Sequence, residues 1–401
     1  MRGKLVFASI LIVVAASLLV ASCILTKHFL DPTQMQSLDD LTAQLDEHMA
    51  DMLVEWNTPG VAVAFIENGQ IVWSKGYGVR QVGTTDPVTA DTTLFQAASI
   101  SKPVATWGLM RLTEPTIGGA DEPLVDIDEP VNNYLTRWQL HSLYDWNPAW
   151  VSEVTLRLIL GHRAGLNLSG YLGWPPEECC PTLEESLEGD DNNPLAGPVR
   201  IWWEPNTMWA YSGGGIAIMQ LVMEEVTQQD FGQYMYDSVL TPLGMLDSSY
   251  TYSDAMLPDL ATPYDSSGNE LPNYLFVEKA VAGLYTTAED LARFAAAAMT
   301  APGLEPGRGV LQPKTVDLIT TCYPDPGMAE CTQTRGWGLG YEVFKENGYF
   351  VVGHTGGNRG WKAVFRFVRD LGIGMVVLTN SDAGVDLYEE IEWAWLQFYL
   401  H

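Results

Sequence analysis

The spacing of apolar residues along this chain switches between helical and strand periods, and the switches outline a fold. From residue 37 to 56, Leu38, Leu41, Leu45, Met49, Met52 and Leu53 recur at helical spacing, which predicts an amphipathic helix. Two apolar runs follow, Val61 to Ile66 and Ile71 to Tyr77, joined through Glu67-Asn68-Gly69-Gln70. Asn-Gly between such runs predicts a hairpin, because both residues tolerate the positive φ of a tight turn. From Ser99 to about residue 230 the texture is of helices and loops. Within it, 173 to 200 is rich in Pro, Gly, Asp, Asn and Glu, a length of loop that in compact domains serves as a lid or a flexible insertion. Strand texture returns at Gly340 to Lys345 and Tyr349 to Gly353, on either side of Asn347-Gly348. Ala363 to Val368 and Ile373 to Thr379 follow across Arg369-Asp370-Leu371-Gly372, and a last apolar helix runs from about Asp386 to Tyr399.

Strands thus come from both ends of the chain and helices from its middle, with no internal repeat. This order predicts an α+β fold: an antiparallel sheet packed by the N- and C-terminal helices, with a mainly helical region inserted. Residues 37–400 read as one unit, its sheet part 37–98 and about 280–400 and its helical part about 99–280.

The N-terminus follows a different logic. Arg2 and Lys4 precede an uncharged apolar stretch from Leu5 to Leu25, with Lys27 after it. That length suits a membrane-spanning helix or a long export signal, so 1–25 reads as signal or membrane anchor and 26–36 as a tether. Val20-Ala21-Ser22-Cys23 resembles a bacterial lipoprotein cleavage box, in which Cys23 would carry the lipid. Export to the periplasmic or extracellular side is the expectation, with a spanning helix, a lipidated Cys23 and a cleaved signal all open.

Composition narrows the partners. The chain has 401 residues, 47% of them hydrophobic, ample for a large core. A net charge of −29 and a pI near 4.3 exclude nucleic acid, which needs a basic surface. The acids are scattered rather than run together, as on a solvated surface. Export makes disulfides possible. Cys179, Cys180, Cys322 and Cys331 allow three pairings; Cys322–Cys331 would clip a Pro/Gly-containing loop, and the adjacent Cys179-Cys180 are a vicinal disulfide or free thiols. No histidine lies near either pair at ligand spacing, which argues against zinc, and no metal or organic cofactor is expected.

The candidate chemistry begins at Ser99-Ile100-Ser101-Lys102, where a predicted strand gives way to a predicted helix. Ser99 and Lys102, three residues apart, share one helical face. Serine needs a base to become a nucleophile, and lysine can supply one only when burial or a helix dipole keeps it neutral. Pro103 suits a first helical turn, and Ile100, Val104, Trp107 and Met110 mark an apolar stripe beyond it. Tyr211-Ser212-Gly213 offers a phenol that could shuttle protons, provided neighbouring positive charge lowers its pKa. His354-Thr355-Gly356-Gly357 closes the outer strand of the late hairpin with glycines that let backbone N–H groups approach a substrate.

Ser-x-x-Lys, then Tyr-x-Gly about 110 residues on, then His-x-Gly about 140 further, resembles the serine β-lactamase and penicillin-binding-protein superfamily. Within it the chain is similar to the class C β-lactamase-related branch of esterases, D-amino-acid peptidases, amidases and β-lactamases. Thr58-Pro59-Gly60-Val61-Ala62-Val63, Leu160-Gly161-His162-Arg163-Ala164-Gly165-Leu166 and Gly283-Leu284-Tyr285-Thr286-Thr287-Ala288-Glu289-Asp290-Leu291 carry the same resemblance, which extends from about residue 37 to 400. It implies a β-lactamase/transpeptidase-like fold with a five-stranded type of sheet. It also implies Ser99 as the acylated nucleophile, Lys102 as the proton acceptor, Tyr211 as their partner, and an oxyanion hole from the N–H groups of Ser99 and Gly357. Gly356, His354 and Gly213 fall at the substrate, whereas His162 falls in a structural turn.

Two departures bear on the substrate. Gly213 stands where β-lactamases of this superfamily carry the asparagine that binds an acylamino group, and His354 stands for the lysine that meets a carboxylate. A histidine of ordinary pKa is mostly neutral at pH 7. The expectation is therefore an exported serine hydrolase working through a Ser99 acyl-enzyme on an ester or a small amide or peptide. The alternatives are a β-lactamase or D,D-peptidase on cell-wall peptides, and a non-catalytic sensor that traps acyl groups. Oligomeric state is not legible.

Overall fold

The computed structural model describes residues 28–115, 122–143, 147–189, 198–328, 330–331 and 336–401. The apolar stretch Leu5 to Leu25 and Cys23 lie outside the described residues; among these, no helix is long and apolar enough to cross a membrane.

Helix α1 (Leu38–Glu55) starts at Ser37, whose side chain caps the Asp40 N–H, and buries Leu41, Leu45, Met49 and Met52. Strands β1 (Gly60–Glu67) and β2 (Gln70–Gly78) form the first hairpin. Asn68 and Gly69 both have positive φ, as an Asn-Gly turn requires. The helical region contains α2 (Ser101–Arg111), α3 (Gly213–Thr227) and α4 (Ala288–Ala297). Strands β3 (Glu342–Glu346), β4 (Tyr349–Asn358), β5 (Trp361–Val368) and β6 (Ile373–Thr379) lead into helix α5 (Gly384–Leu400).

These strands make one antiparallel sheet in the order β2-β1-β6-β5-β4-β3, so the two ends of the chain meet at β1 and β6. The sheet has six strands, one more than the five-stranded type, because β3 adds to its edge. Strand alternation divides the core in two. Val61, Val63 and Phe65 face α1 and α5, with Met375, Val377, Leu387 and Trp395. Ala62, Ala64 and Ile66 face the helical region, where small side chains let the alanine-rich α4 lie close to β1.

Two elements differ from their sequence patterns. Helix α2 shows a single apolar stripe, yet Ser101 through Met110 are all buried, because the helix threads the middle of the helical region. Strand β4 runs five residues past Gly353, so the His354-Thr355-Gly356-Gly357 motif is itself strand. Cys322–Cys331 and the neighbours Cys179–Cys180 are each disulfide-bonded.

Candidate active site

Ser99 sits in a 3-10 turn, Ala98–Ile100, between the short strand Phe95–Gln96 and α2. Ala98 has a φ of +49°, the left-handed region that a residue with a Cβ enters only under external constraint. The constraint is visible on both sides. Ala97 N–H donates to Leu284 O at 2.8 Å, and Ser101 Oγ accepts from Leu284 N–H at 2.9 Å. The Gly283–Leu291 segment thus brackets the turn and holds Ser99 partly exposed at its crest.

Three residues after Ser99, in the first turn of α2, Lys102 is buried at 1% exposure. Its Nζ lies 2.9 Å from Ser99 Oγ and donates to Val281 O at 2.9 Å. Burial lowers its pKa from the ordinary 10.5 to about 7, against the opposing pull of the Glu342 carboxylate. A large share of Lys102 is therefore neutral at neutral pH, with a lone pair beside the serine hydroxyl.

Tyr211 closes the third side. Its ring lies 5.1 Å from Lys102 Nζ, and its side chain hydrogen-bonds with Ser99. Burial pushes its pKa well up and outweighs the bond to Ser99, while Glu342 adds to the rise. The sequence reading required a lowered tyrosine pKa; burial produces the reverse. Tyr211 is a neutral phenol, and Lys102 is the group able to accept a proton.

Strand register sets the direction of the Gly357 N–H. The two-residue turn Arg359-Gly360 joins β4 to β5 and pairs Asn358 with Trp361. Alternation then makes Gly357–Lys362 a non-hydrogen-bonded pair, with the Gly357 N–H aimed away from β5. Strand β3 pairs with β4 only as far as Gly353, so that edge is open at Gly357. The Ser99 turn packs against it. Ser99 N–H, in the first turn, has no intrahelical acceptor either.

The other motif residues are brought to the site, in roles their sequence positions did not disclose. Gly356 is buried, and a Cβ there would strike Ala97 O, so it lets β4 approach the Ser99 turn. Gly213 is also buried, and its N–H donates to Ser169 O at 2.9 Å. A Cβ on Gly213 would stand 2.9 Å from that oxygen and 3.1 Å from Val281 Cγ1. The volume of an asparagine side chain is filled by backbone.

His354 departs most from expectation. It is 2% exposed, its Nδ1 bonds to Thr355 O at 2.5 Å, and Nε2 has no partner among the described residues. Burial lowers its pKa to about 4, despite the opposing Glu342 carboxylate 3.9 Å away, so the ordinary value assumed from sequence does not hold. Burial raises the Glu342 carboxyl, but Arg366, 2.7 Å away, and His354 outweigh it and hold that carboxyl at about 2.

His162, read from sequence as a structural turn residue, has a φ of +54° and its ring 4.4 Å from that of Tyr211. Its Nδ1 accepts from Ser212 N–H at 3.1 Å, so it positions the second motif. Trp337 packs on Tyr211, His162 and His354 at 5.7, 4.8 and 5.5 Å. On the other flank, Asn358 Nδ2 donates to Gln96 Oε1 at 2.7 Å, and Gln96 Nε2 donates to Tyr274 O at 2.7 Å. Neither Trp337 nor the Gln96–Asn358 pair carried a sequence signal; Val281 lay two residues before a segment that did. Among the described residues, no group of His, Cys, Asp and Glu could hold a metal ion.

Residues 39–398 match the beta-lactamase family. The chain belongs to it. It is 25% identical over 403 residues to the esterase EstB of Burkholderia gladioli, covering 89% of this chain and 95% of that protein. A human relative, beta-lactamase-like 1, is 26% identical over 332 residues, 80% of this chain; the match spans 62% of the relative's own length. An octameric penicillin-binding protein homologue from Pyrococcus abyssi superposes with a TM-score of 0.70 at 22% identity, over 88% of this chain and 76% of that one. In this beta-lactamase-family fold, the first and second motifs meet at Ser99, and the third supplies the strand edge facing it.

Proposed function

We propose that the chain is a serine hydrolase that forms an acyl-enzyme on Ser99 and acts on esters or small amides. The observation that carries this reading is the buried amine of Lys102, titrating near 7 and 2.9 Å from Ser99 Oγ. Neutral Lys102 takes the serine proton as Oγ attacks the carbonyl carbon. The oxyanion accepts from the N–H groups of Ser99 and Gly357, each such donor worth about 3 kcal/mol in the transition state. As the intermediate collapses, the proton passes through Tyr211 to the leaving group; water then repeats the sequence and frees the acid.

Two observations favour an ester or plain amide over a β-lactam. The backbone of Ser169 and Gly170 fills the place of an acylamino-binding side chain beside Gly213, and His354 is neutral and buried. The 95% coverage of an esterase supports the same reading. The basic residues before Leu5 to Leu25 support export and membrane anchoring.

The deciding experiment assays the purified chain on short p-nitrophenyl esters, a chromogenic cephalosporin and a D-Ala-D-Ala peptide. Ester turnover should dominate, and Ser99→Ala should lower it by roughly 10⁶-fold. Faster cephalosporin turnover, or a stable adduct on Ser99 without turnover, would replace this reading with one of its rivals.

A further inference from the structure

The chain carries 50 acidic and 21 basic residues, and a few described cations, Lys314, Lys345 and Arg359 among them, still lie outside ion-pair distance of any described carboxylate; Arg359 alone of these three stands next to the Gly357 edge. Most described lysines and arginines lie within 4.0 Å of a carboxylate, as Arg137, Arg157, Lys279, Arg293 and Lys362 do. Lys102 is the buried base. Arg359 is exposed, two residues beyond Gly357 on the same strand end, and among the described residues no carboxylate lies within ion-pair distance of it.

Arg359 is nonetheless held. Its guanidinium carbon lies 4.4 Å above the ring of Tyr274, and Nη1 donates to the Tyr274 hydroxyl. Tyr274 is itself anchored: its carbonyl accepts from Gln96, three residues before Ser99, and its Cβ is 3.0 Å from the position a Cβ on Gly173 would take. A guanidinium stacked and bonded through one nitrogen keeps its remaining N–H groups in a fixed fork, the geometry that receives a carboxylate.

Its direction from Ser99 follows from the strand. The proton-handling groups gather at the His354 end, where the Tyr211 and His354 rings are 6.2 Å apart. Arg359 opens the turn at the far end of β4, five residues on and roughly 15 Å away along the strand direction, past Gly357 and Asn358. With the carbonyl oxygen at Gly357 N–H and the leaving group toward Tyr211, the acyl portion extends toward Asn358 and Arg359.

We propose that Arg359, braced by Tyr274, binds an anionic group on the acyl side of the substrate, so that the preferred acyl donors are half-esters or half-amides of dicarboxylic acids. This rests on the acyl-enzyme reading above and narrows it. It also explains how the site meets an anion although His354 is neutral and buried: the cation stands at the opposite end of the strand.

The test compares mono-p-nitrophenyl adipate with p-nitrophenyl hexanoate, which differ in the terminal carboxylate, and 3-acetoxybenzoate with phenyl acetate, which carry the difference on the leaving group. For the full chain, the adipate-to-hexanoate ratio of kcat/KM should exceed one and fall with added salt. Arg359→Ala should lower that ratio at least ten-fold, mainly through KM, and Arg359→Lys should lower it less. The ratio for the leaving-group pair should not follow. An adipate ratio indifferent to Arg359→Ala, or a loss confined to the leaving-group pair, overturns the proposal while leaving the hydrolase reading intact. Binding of the adipate half-ester to Ser99→Ala, compared with Ser99→Ala/Arg359→Ala by tryptophan fluorescence, reads the anion site without turnover. A ten-fold weaker Kd in the double variant supports the site even if no ester is hydrolysed, and equal affinities reject it.

Discussion

Lys102 Nζ donates to the carbonyl oxygen of Val281 at 2.9 Å, across 179 residues of chain. That bond turns the lysine in toward Ser99 and supplies one polar contact to an amine that is otherwise sealed from water. A short helix, Lys279–Ala282, presents the carbonyl, and the side chain of Gln220 holds this helix by accepting from Ala280 N–H at 3.0 Å and donating to Val277 O at 3.0 Å. The environment of the amine is thus set in part by an element remote in sequence.

Activity should follow the protonation of Lys102. Below pH 7 the amine is charged and cannot accept the serine proton, so kcat/KM for a neutral ester should fall as pH drops through about 7 and level off above it. Lys102→Met should remove that limb and cost about 10²–10⁴-fold in kcat. A flat profile from pH 6 to 8 in the wild type would show that Lys102 is not the base.

His354 should make the fold acid-sensitive. Its folded pKa of about 4 lies below the ordinary 6.5, so between these values the unfolded chain binds a proton that the native state refuses. Stability is therefore full above pH 6.5 and declines as pH falls toward 4, by up to ~3 kcal/mol for this group. Denaturant melts of His354→Asn should show a pH slope in this window that is shallower than the wild type by nearly one proton.

Restoring asparagine at Gly213 should not restore β-lactam hydrolysis. A Cβ there meets Ser169 O at 2.9 Å, so Gly213→Asn should destabilise the fold by about 1–3 kcal/mol, as overpacking does. Thermal melting and a chromogenic cephalosporin read the two effects. A stable variant that gains cephalosporin turnover would contradict the packing argument.

Gly356→Ala should act on catalysis more than on binding. The added methyl presses against Ala97 O and shifts the Gly357 N–H away from Ser99. A displacement of ~1 Å in such a donor can cost about 100-fold in rate. The expected signature is a fall in kcat with little change in KM for p-nitrophenyl esters.

Strand and helix order was legible because it rests on local periodicity. Leu41, Leu45, Met49 and Met52 announce α1, and Asn68-Gly69 and Asn347-Gly348 announce two hairpins through their positive φ. The three motifs were legible for the same reason: their residues are adjacent in sequence and their chemistry is intrinsic. His162 was set aside as a turn residue, and its left-handed φ shows that it is one; its contact with Tyr211 depends on how that turn packs. The charge states of Lys102, Tyr211 and His354 were not legible, because each depends on burial created by segments far away in the chain.

By itself, then, the sequence determined the order of elements, the α+β class and which hydroxyl, amine, phenol and glycines meet at one site. Tertiary structure alone decided that the amine is near neutral, the phenol protonated and the histidine buried. It also decided that Gly213 has no room for a side chain, and that Arg359 stands just past the end of β4 with no carboxylate within ion-pair distance among the described residues. The division has one cause. Periodicity and motif chemistry are carried by neighbours along the chain, whereas desolvation and the direction of a strand edge arise only when distant segments exclude water together.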